Sequence, residues 1–444
     1  MNNIRIVIVF TVIVFSYLNS FAQEQKVWTL EECVNYAIEN NISVQQGENT
    51  LLINEQDVIA RNGSRLPSLD FSGRQGLTLG NQEIFPGQFV DRTANSTNLG
   101  INVNQTIFNG FRLTNLYKQS QLTLERNQLE LNRIRDNISL NVVNSYLNVL
   151  FNKENLEVAR AQLEFTKKQL EQTKELVDAG SQPRVNVYDV EATLSSDEQN
   201  LTVAENNYNL AILSLSQLLQ LPYEGFEVQI IEIDSPSAAL MYSDINQILD
   251  YAFDNRYEIK VAEKDIESAE LSTKISKSGF LPIVSFNYGF GTNVFYTNLR
   301  DDEASFVDQL NDNKSQSFGL SLRVPIFSQF QNKTAVAQAQ IREDNAKLNL
   351  EQAKLDLESN IQRAFTDAQA ALKAYEAAKK SVAAQKLAFE NSQERYSLGD
   401  MNSFNLEQSR IQLINAQSRL INAKYDFVFK TKVLDFYLGK PITQ

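Results

Sequence analysis

"RLPSLDFSGRQGLTLG", residues 65–80, is the stretch on which the fold turns. The chain around it reads as long, polar helix rich in Gln and Asn. At Pro67 that pattern stops and a two-residue alternation begins. Leu69, Phe71, Leu77 and Leu79 fall on one parity, and Ser68, Asp70, Ser72, Arg74 and Thr78 on the other. Successive strand side chains point to opposite faces, so this is a strand with one apolar and one polar face.

Three more segments repeat the design. "STNLGINVNQTIF" sets Leu99, Ile101, Val103 and Ile107 against Asn98, Gly100, Asn102, Asn104 and Thr106. "PIVSFNYGFGTNVFY" sets Val284, Phe286, Tyr288, Phe290, Val294 and Tyr296 against Ser285, Asn287, Gly289, Gly291 and Asn293. "SFGLSLRVPIF" sets Phe318, Leu320, Leu322, Val324 and Ile326 against Ser317, Gly319, Ser321 and Arg323. Polar loops such as "NLRDDEASFVDQLNDNKSQ" join them. Each strand has roughly ten alternating residues, the length of a tilted strand crossing a bilayer. A half-buried sheet lying on helices has the same alternation, so the strands alone leave both readings open.

The strands belong to an internal repeat. "NYAIENN" at Tyr36 matches "DYAFDNR" at Tyr251, and Leu66-Pro67 matches Leu281-Pro282, both at an offset of 215. "QTIFNGF" and "VPIFSQF" place Phe108 and Phe327 at an offset of 219, as do Gly180 with Gly399 and Pro222 with Pro441. The slip of four residues lies between Pro67 and Phe108, in a loop joining two strands, where a length change costs little. The expected organisation is a first repeat over 23–224, a linker over 225–243 and a second repeat over 244–444. Strands fall at about 67–108 and 282–327, and helical hairpins at about 110–220 and 329–438.

From Phe108 to about Asp178, and from Phe327 to about Leu398, the helical pattern runs without proline. Each helix is about 100 Å long at 1.5 Å per residue, which calls for a coiled coil or bundle. Leu156, Leu163, Leu170 and Val177 recur every seven residues, a coiled-coil stripe. Past Gly180 the chain returns through Val187, Leu194, Leu201, Tyr208 and Leu215. Past Gly399 it returns through Leu406, Leu413, Leu420, Phe427 and Leu434. Short helices near 30–64 and 244–279 precede the strands. Four strands cannot close a barrel, and open edges are not tolerated in lipid. If these strands cross a membrane, several chains must pool them.

The N-terminal "MNNIRIVIVFTVIVFSYLNSFAQ" has Arg5, an apolar run from Ile6 to Leu18 and a small-x-small site at Ser20-Phe21-Ala22, the pattern of a signal peptide over 1–22. Without it the chain has 40 basic and 54 acidic side chains, and no basic stripe points to nucleic acid. The chain has no histidine, which removes the commonest general base and transition-metal ligand. No phosphate loop, nucleophile elbow or CxxC is present, so no enzyme, cofactor or metal site is expected. The single cysteine, Cys33 in "LEECVNYAI", reads as a small buried residue.

"WTLEECVNYAIENN", the Leu-Pro steps, "QTIFNGF", "VPIFSQF" and "RYSLGDMNSFNLEQSRIQLINAQSRLINAKYDF", in this order, resemble the TolC-type outer-membrane efflux proteins over essentially the whole mature chain. The resemblance implies a mainly α protein with a membrane β-barrel portion in the outer membrane of a Gram-negative bacterium. It implies a homotrimer whose twelve strands form one barrel in outer-membrane lipid and whose helical hairpins form a periplasmic coiled-coil tunnel. It also implies a periplasmic adaptor (membrane fusion) protein and an inner-membrane pump as partners. Leu69, Phe71, Leu99, Ile101, Phe286, Tyr288, Phe318 and Leu320 would then face lipid.

The turns at Gly180 and Gly399 would form the periplasmic tip where adaptors dock. Tyr396 matches a family gate tyrosine. Asn405 and Gln408 stand where acidic residues are common in the family, Asn186 and Asp189 at the matching places of the first copy, and Met401 replaces an arginine. The implied function is passive conduction in tripartite efflux or secretion. A structural or adhesive coiled-coil protein of the envelope accounts for the helices but not for the paired strands.

Overall fold

The computed structural model describes residues 26–230, 244–300 and 302–442. The signal sequence over 1–22 and most of the linker over 225–243 lie outside the described residues. In chain order the elements are β1 (Val27–Trp28), α1 (Leu30–Asn40), α2 (Ile42–Gly63), β2 (Ser68–Phe85), β3 (Gln88–Asn109), α3 (Arg112–Asp178), α4 (Val185–Leu219) and β4 (Glu227–Val228). There follow α5 (Ile245–Asn255), α6 (Tyr257–Lys277), β5 (Ile283–Thr297), α7 (Phe306–Asp312), β6 (Ser315–Arg323), α8 (Gln331–Ser397) and α9 (Ser403–Tyr437).

Helices α3 and α8 have 67 residues each, and α4 and α9 have 35 each. Neither long helix contains Gly or Pro, so nothing in the backbone interrupts the hydrogen-bond ladder. The helices expected near 30–64 and 244–279 are each broken in two, at Asn41 and Arg256, which are 215 residues apart. Both residues adopt extended backbone and end the first segment with an N–H to the carbonyl four residues back. Asn41 also caps α2, its Oδ1 accepting from Ser43 N–H at 2.9 Å. Arg256 takes another course. Its buried guanidinium pairs with Asp136 at 3.1 Å and lies 4.1 Å over the Phe436 ring.

The chain divides into two compact units, each drawing on both halves of the sequence. One holds the described residues up to Gln46 with Asn132–Arg256 and Leu355 onward; the other holds Gly47–Leu131 and Tyr257–Lys354. The core of the first unit is built from α1, α3, α4 and α9. Cys33, Ala37, Val142, Tyr146 and Leu215 are fully enclosed, with Phe226, Ile421 and Tyr425 packed around them. The β1–β4 pair, two residues each and parallel, closes this core. The Tyr146 hydroxyl donates to the Gln229 carbonyl at 2.5 Å. The start of the stretch read as linker is therefore ordered structure.

The second unit holds one antiparallel sheet in the order β2-β3-β5-β6. The strands depart from the ten-residue expectation. β2 and β3 run 18 and 22 residues and join through a tight turn at Pro86-Gly87, where Gly87 has φ +83°. β6 stops at Arg323, before Val324 and Ile326, because Pro325 cannot donate to the ladder. The segment between β5 and β6, expected as loop, contains α7, whose N-terminus is capped by Ser305. With its flanks, α7 covers the part of the β5 edge that β6 does not reach. Phe295 N–H donates to Gln309 Oε1 and Thr297 N–H to Glu303 Oε1, both at 2.8 Å.

Enclosure of Cys33 in the first core pushes its thiol up to about 12. The folded protein at pH 8 should therefore resist iodoacetamide, and one thiol per chain should alkylate after denaturation, as read by mass spectrometry. Rapid alkylation of the folded protein would contradict the packing of α1.

Candidate functional site

Register converts alternation along four strands into rows across the sheet. Leu69, Val103, Tyr288 and Phe318 stand opposite one another in one row. The next row on one side is Phe71, Ile101 and Phe290, followed by Gly73, Leu99 and Thr292. The next row on the other side is Gln105, Phe286 and Leu320. Directly opposed residues project to the same face. The eight apolar positions singled out from the sequence thus share one face in four consecutive rows. The Tyr288 and Phe318 rings touch, with centroids 4.9 Å apart. Leu69, Phe71, Phe318 and Leu320 are 71–73% exposed, so none of the described residues covers this part of the face. From Val284 to Thr292 the strand advances about 27 Å, or about 20 Å at barrel tilt, close to the ~25 Å apolar band of membrane barrels.

Past Leu99 the same face turns polar. Gln75, Thr97 and Asn95 lie there and hydrogen-bond to one another. Leu77 stands opposite Asn95, with Tyr296 in the same row, and Leu79 lies one row further on, separated from the main band. The opposite face is polar throughout the band. One row is Ser68, Asn104, Asn287 and Gly319; the next is Asp70, Asn102, Gly289 and Ser317. A Cβ on Gly319 would meet Asn287 Oδ1 at 2.6 Å, and one on Gly289 would meet Ser317 Oγ at 2.9 Å. The glycines of this face make room for neighbouring amides and hydroxyls. β2 and β6 each pair on one side only, which leaves two open edges.

At the strand-to-helix elbows, Gly110 and Phe111 have φ +66°, and Gln329 and Phe330 have φ +50° and +63°. A bulky residue with left-handed backbone is strained. Phe111 packs edge-on against Phe108 at 5.3 Å and Phe330 against Phe327 at 5.9 Å. The sequence pattern carried "QTIFNGF" and "VPIFSQF" but gave no sign of this backbone.

In the other unit, both long helices end in the same way. Gly180 has φ +72° and Gly399 φ +76°. Gly180 N–H donates to Val177 O and Ser181 N–H to Leu176 O, each at 2.9 Å. Gly399 and Asp400 repeat this with Tyr396 O and Arg395 O. This is the Schellman termination, which favours glycine because a Cβ is strained at positive φ. Tyr396 and Asn186 meet beside the turns through a third residue. The Tyr396 hydroxyl donates to Gln182 Oε1 at 3.4 Å, and Asn186 Nδ2 donates to the same oxygen at 3.1 Å. Gln182 went unnoticed in the sequence because it lies in the loop, outside any heptad. The side chains of Asp189, Asn405 and Gln408 are exposed and take no part in this contact; Asn405 N–H is bonded to the cap Asn402 at 2.9 Å.

The family model of the outer membrane efflux proteins matches residues 33–220 and 248–440. The chain belongs to this family. It is therefore an outer-membrane efflux protein, in a family of efflux proteins rather than enzymes. It is 22% identical to the outer membrane protein TolC of Salmonella enteritidis over 356 residues, 78% of this chain and 70% of that protein. With TolC of Escherichia coli it is 22% identical over 245 residues, about half of each chain (54% and 48%). Its fold is similar to that of CusC, with a TM-score of 0.80 at 17% identity, covering 95% of this chain and 96% of the other.

One feature of this efflux protein was invisible to the heptad pattern. Asp197 of α4, Arg410 of α9 and Thr166 of α3 form a buried network. Arg410 Nη1 donates to Asp197 Oδ2 at 3.0 Å and to Thr166 Oγ1 at 2.7 Å, and Thr166 donates to Asp197 at 2.6 Å. Both charged side chains are 5% exposed. Glu407 supplies a second carboxylate to Arg410 Nη2 at 2.8 Å.

Breaking a buried pair strands the remaining charge, whereas replacing both partners removes the desolvation cost. Arg410→Met leaves the buried Asp197 carboxylate without its cation and should destabilise the folded chain by about 3–5 kcal/mol, while the double substitution Asp197→Leu, Arg410→Met should be near neutral. Thermal unfolding in detergent distinguishes them; equal losses would show that the network is not enclosed.

Proposed function

We propose that three copies of this chain close a twelve-stranded barrel in the outer membrane, with the apolar rows against lipid and the Ser/Asn/Gly face around a water-filled exit. The observation that carries this reading is a four-stranded sheet with two open edges and an uncovered apolar face. Lipid tolerates such a sheet only when its edges are paired. A threefold ring in which β6 of one chain meets β2 of the next leaves no edge. The chain is read as two repeats, 23–224 and 244–444, joined by a linker over 225–243, behind a signal peptide over 1–22. A structural or adhesive coiled coil has no use for the sheet.

The helical hairpins, on this reading, form the periplasmic tunnel. The turns at Gly180 and Gly399 receive a periplasmic adaptor coupled to an inner-membrane pump, and solutes pass without chemistry. Tyr396, Gln182 and Asn186 hold the tunnel mouth shut at rest, with Asp189, Asn405 and Gln408 exposed nearby. Support for the gate is the shared acceptor Gln182 Oε1.

Phe71→Arg and Leu320→Arg should each cost about 2–4 kcal/mol near the bilayer midplane. Ser72→Arg and Ser321→Arg, on the opposite face, should be tolerated. Trimer yield in outer-membrane fractions, with mass measured by light scattering in detergent, reads the difference. Equal yields for the two pairs would remove the face assignment.

A neutral hydrogen bond contributes about 0.5–1.5 kcal/mol net, so the gate should yield to small changes. Gln182→Ala removes the acceptor of both bonds, and Tyr396→Phe removes one donor while keeping the ring. Planar-bilayer conductance should rise in the order wild type, Tyr396→Phe, Gln182→Ala. Identical conductance in all three, with trimers intact, would make Tyr396 a packing residue.

A further inference from the structure

We propose that the barrel exit is lined by an excess of fixed positive charge and favours anionic solutes. The inference rests on the barrel reading above and names the charge class of what the exit passes. The chain as a whole is strongly acidic, with 54 carboxylates against 41 basic side chains. The polar face of the sheet reverses that balance. Its register rows hold Arg323 opposite Ile283, Arg74 opposite Asn98, and Arg92 opposite Gly80, with Asp70 opposite Asn102 as the one acid. The two other acids of the strands, Glu83 and Asp91, lie on the opposite parity near the hairpin turn, opposite Phe89 and Asn81.

Register places Arg74 and Arg323 on the polar face, and contacts fix Arg92 there independently. Arg92 lies 5.3 Å over the Phe295 ring, and Phe295 pairs with Ser96, whose hydroxyl would stand 3.1 Å from a Cβ on Gly76. Among the described residues none of Arg74, Arg92 and Arg323 is in an ion pair, and Arg74 and Arg323 are exposed. Asp70 lies four residues from Arg74 on the same strand, about 13 Å away at strand rise. That is beyond a Debye length at physiological salt, so it neutralises none of the three closely.

In a threefold barrel each arginine becomes a ring of three at one height. Rings of basic side chains favour anions by raising their local concentration, and the effect weakens as salt screens it. The three rings stand at different levels: Arg323 at the end of β6 nearest the helix, Arg74 just past the apolar band, and Arg92 beyond it. An anionic solute meets positive charge along the whole exit. On the polar face of the strands the one ring that attracts a cationic solute is that of Asp70.

The test is the reversal potential of the full chain in planar bilayers under a KCl gradient, in wild type and in the Gln182→Ala background, so that a closed mouth does not mask the barrel. Arg74→Gln, Arg92→Gln, Arg323→Gln combined should lower the chloride-to-potassium permeability ratio at least two-fold. Asp70→Asn should raise it. Both shifts should shrink between 0.05 M and 1 M salt. A ratio unmoved by either set of substitutions, in a channel that conducts, would overturn the inference and leave the barrel reading standing. Absence of any conductance in both backgrounds would overturn the barrel reading and this inference with it.

Discussion

A strand in hydrocarbon must pair its backbone on both sides, because water is not there to take the unpaired groups. Each buried, unpaired N–H or C=O costs several kcal/mol. The sheet of this protein has two unpaired edges and a face of exposed Leu and Phe. More of the same strands satisfy both needs at once, and the rest of the sheet follows from that. In the proposed closure the second face turns inward, where side chains must be wet and compact. Ser and Asn meet the first demand, and glycines at 289 and 319 give them space. Where β6 ends short of β5, the α7 segment takes over the edge with the side chains of Gln309 and Glu303. Pairing by side chains suffices at a level where solvent can complete the remaining bonds.

Two unequal kinds of tie act in the helical unit. A heptad stripe brings helices together but tolerates sliding, since each Leu layer resembles the next. A polar partner inside the stripe sets register at a cost in desolvation. Asp197 and Arg410 have this character, and Thr166 extends the tie to a third helix. The contact at Gln182 is of another order. It is made of neutral groups at 3.1 and 3.4 Å around a single oxygen. Loss of one partner of the buried pair costs about 3–5 kcal/mol, against about 0.5–1.5 for a neutral bond. The hairpins of one chain thus stay in register under forces that would release the contact beside the turns.

The sequence made legible whatever follows a period. Alternation at Leu69–Leu79 gave the strand and its face, and spacing by seven gave the helices that bury Leu156, Leu215, Leu406 and Phe427. The turn glycines were legible because glycine is the residue that adopts their φ without strain. What escaped has no period. The outer half of the β2–β3 hairpin stays paired after its apolar alternation ends at Leu79, since a ladder needs only backbone. Helix α7 is about two capped turns in a polar segment. The breaks at Asn41 and Arg256 lie within quoted repeat motifs, yet one is a polar cap and the other a buried cation. Asp197 and Arg410 looked like surface charges among many, and only their partners from other helices reveal them as interior. Gln182 has no period either, and Tyr396 and Asn186 were named only through the family resemblance.

The two copies also show where this fold is free to change. Their long helices start 219 residues apart and have the same length. Their turns match in every backbone bond described above. Within the apolar rows the strands match as well, because a one-residue slip would move every apolar side chain to the wet face. Beyond the rows they part company. The first copy continues as a long hairpin closed by Pro86-Gly87, and the second substitutes α7 and a short β6. The four-residue slip is the residue count of that exchange. The elbows diverge more subtly: Gly110 meets the positive φ in one copy and Gln329 in the other, and the following Phe is strained in both. A backbone retained at a position where the side chain no longer favours it is held by its surroundings, here the strand on one side and 67 residues of helix on the other. Duplication supplied one scaffold twice. Backbone pairing and the long helices match between the copies, while charge, caps and loops differ.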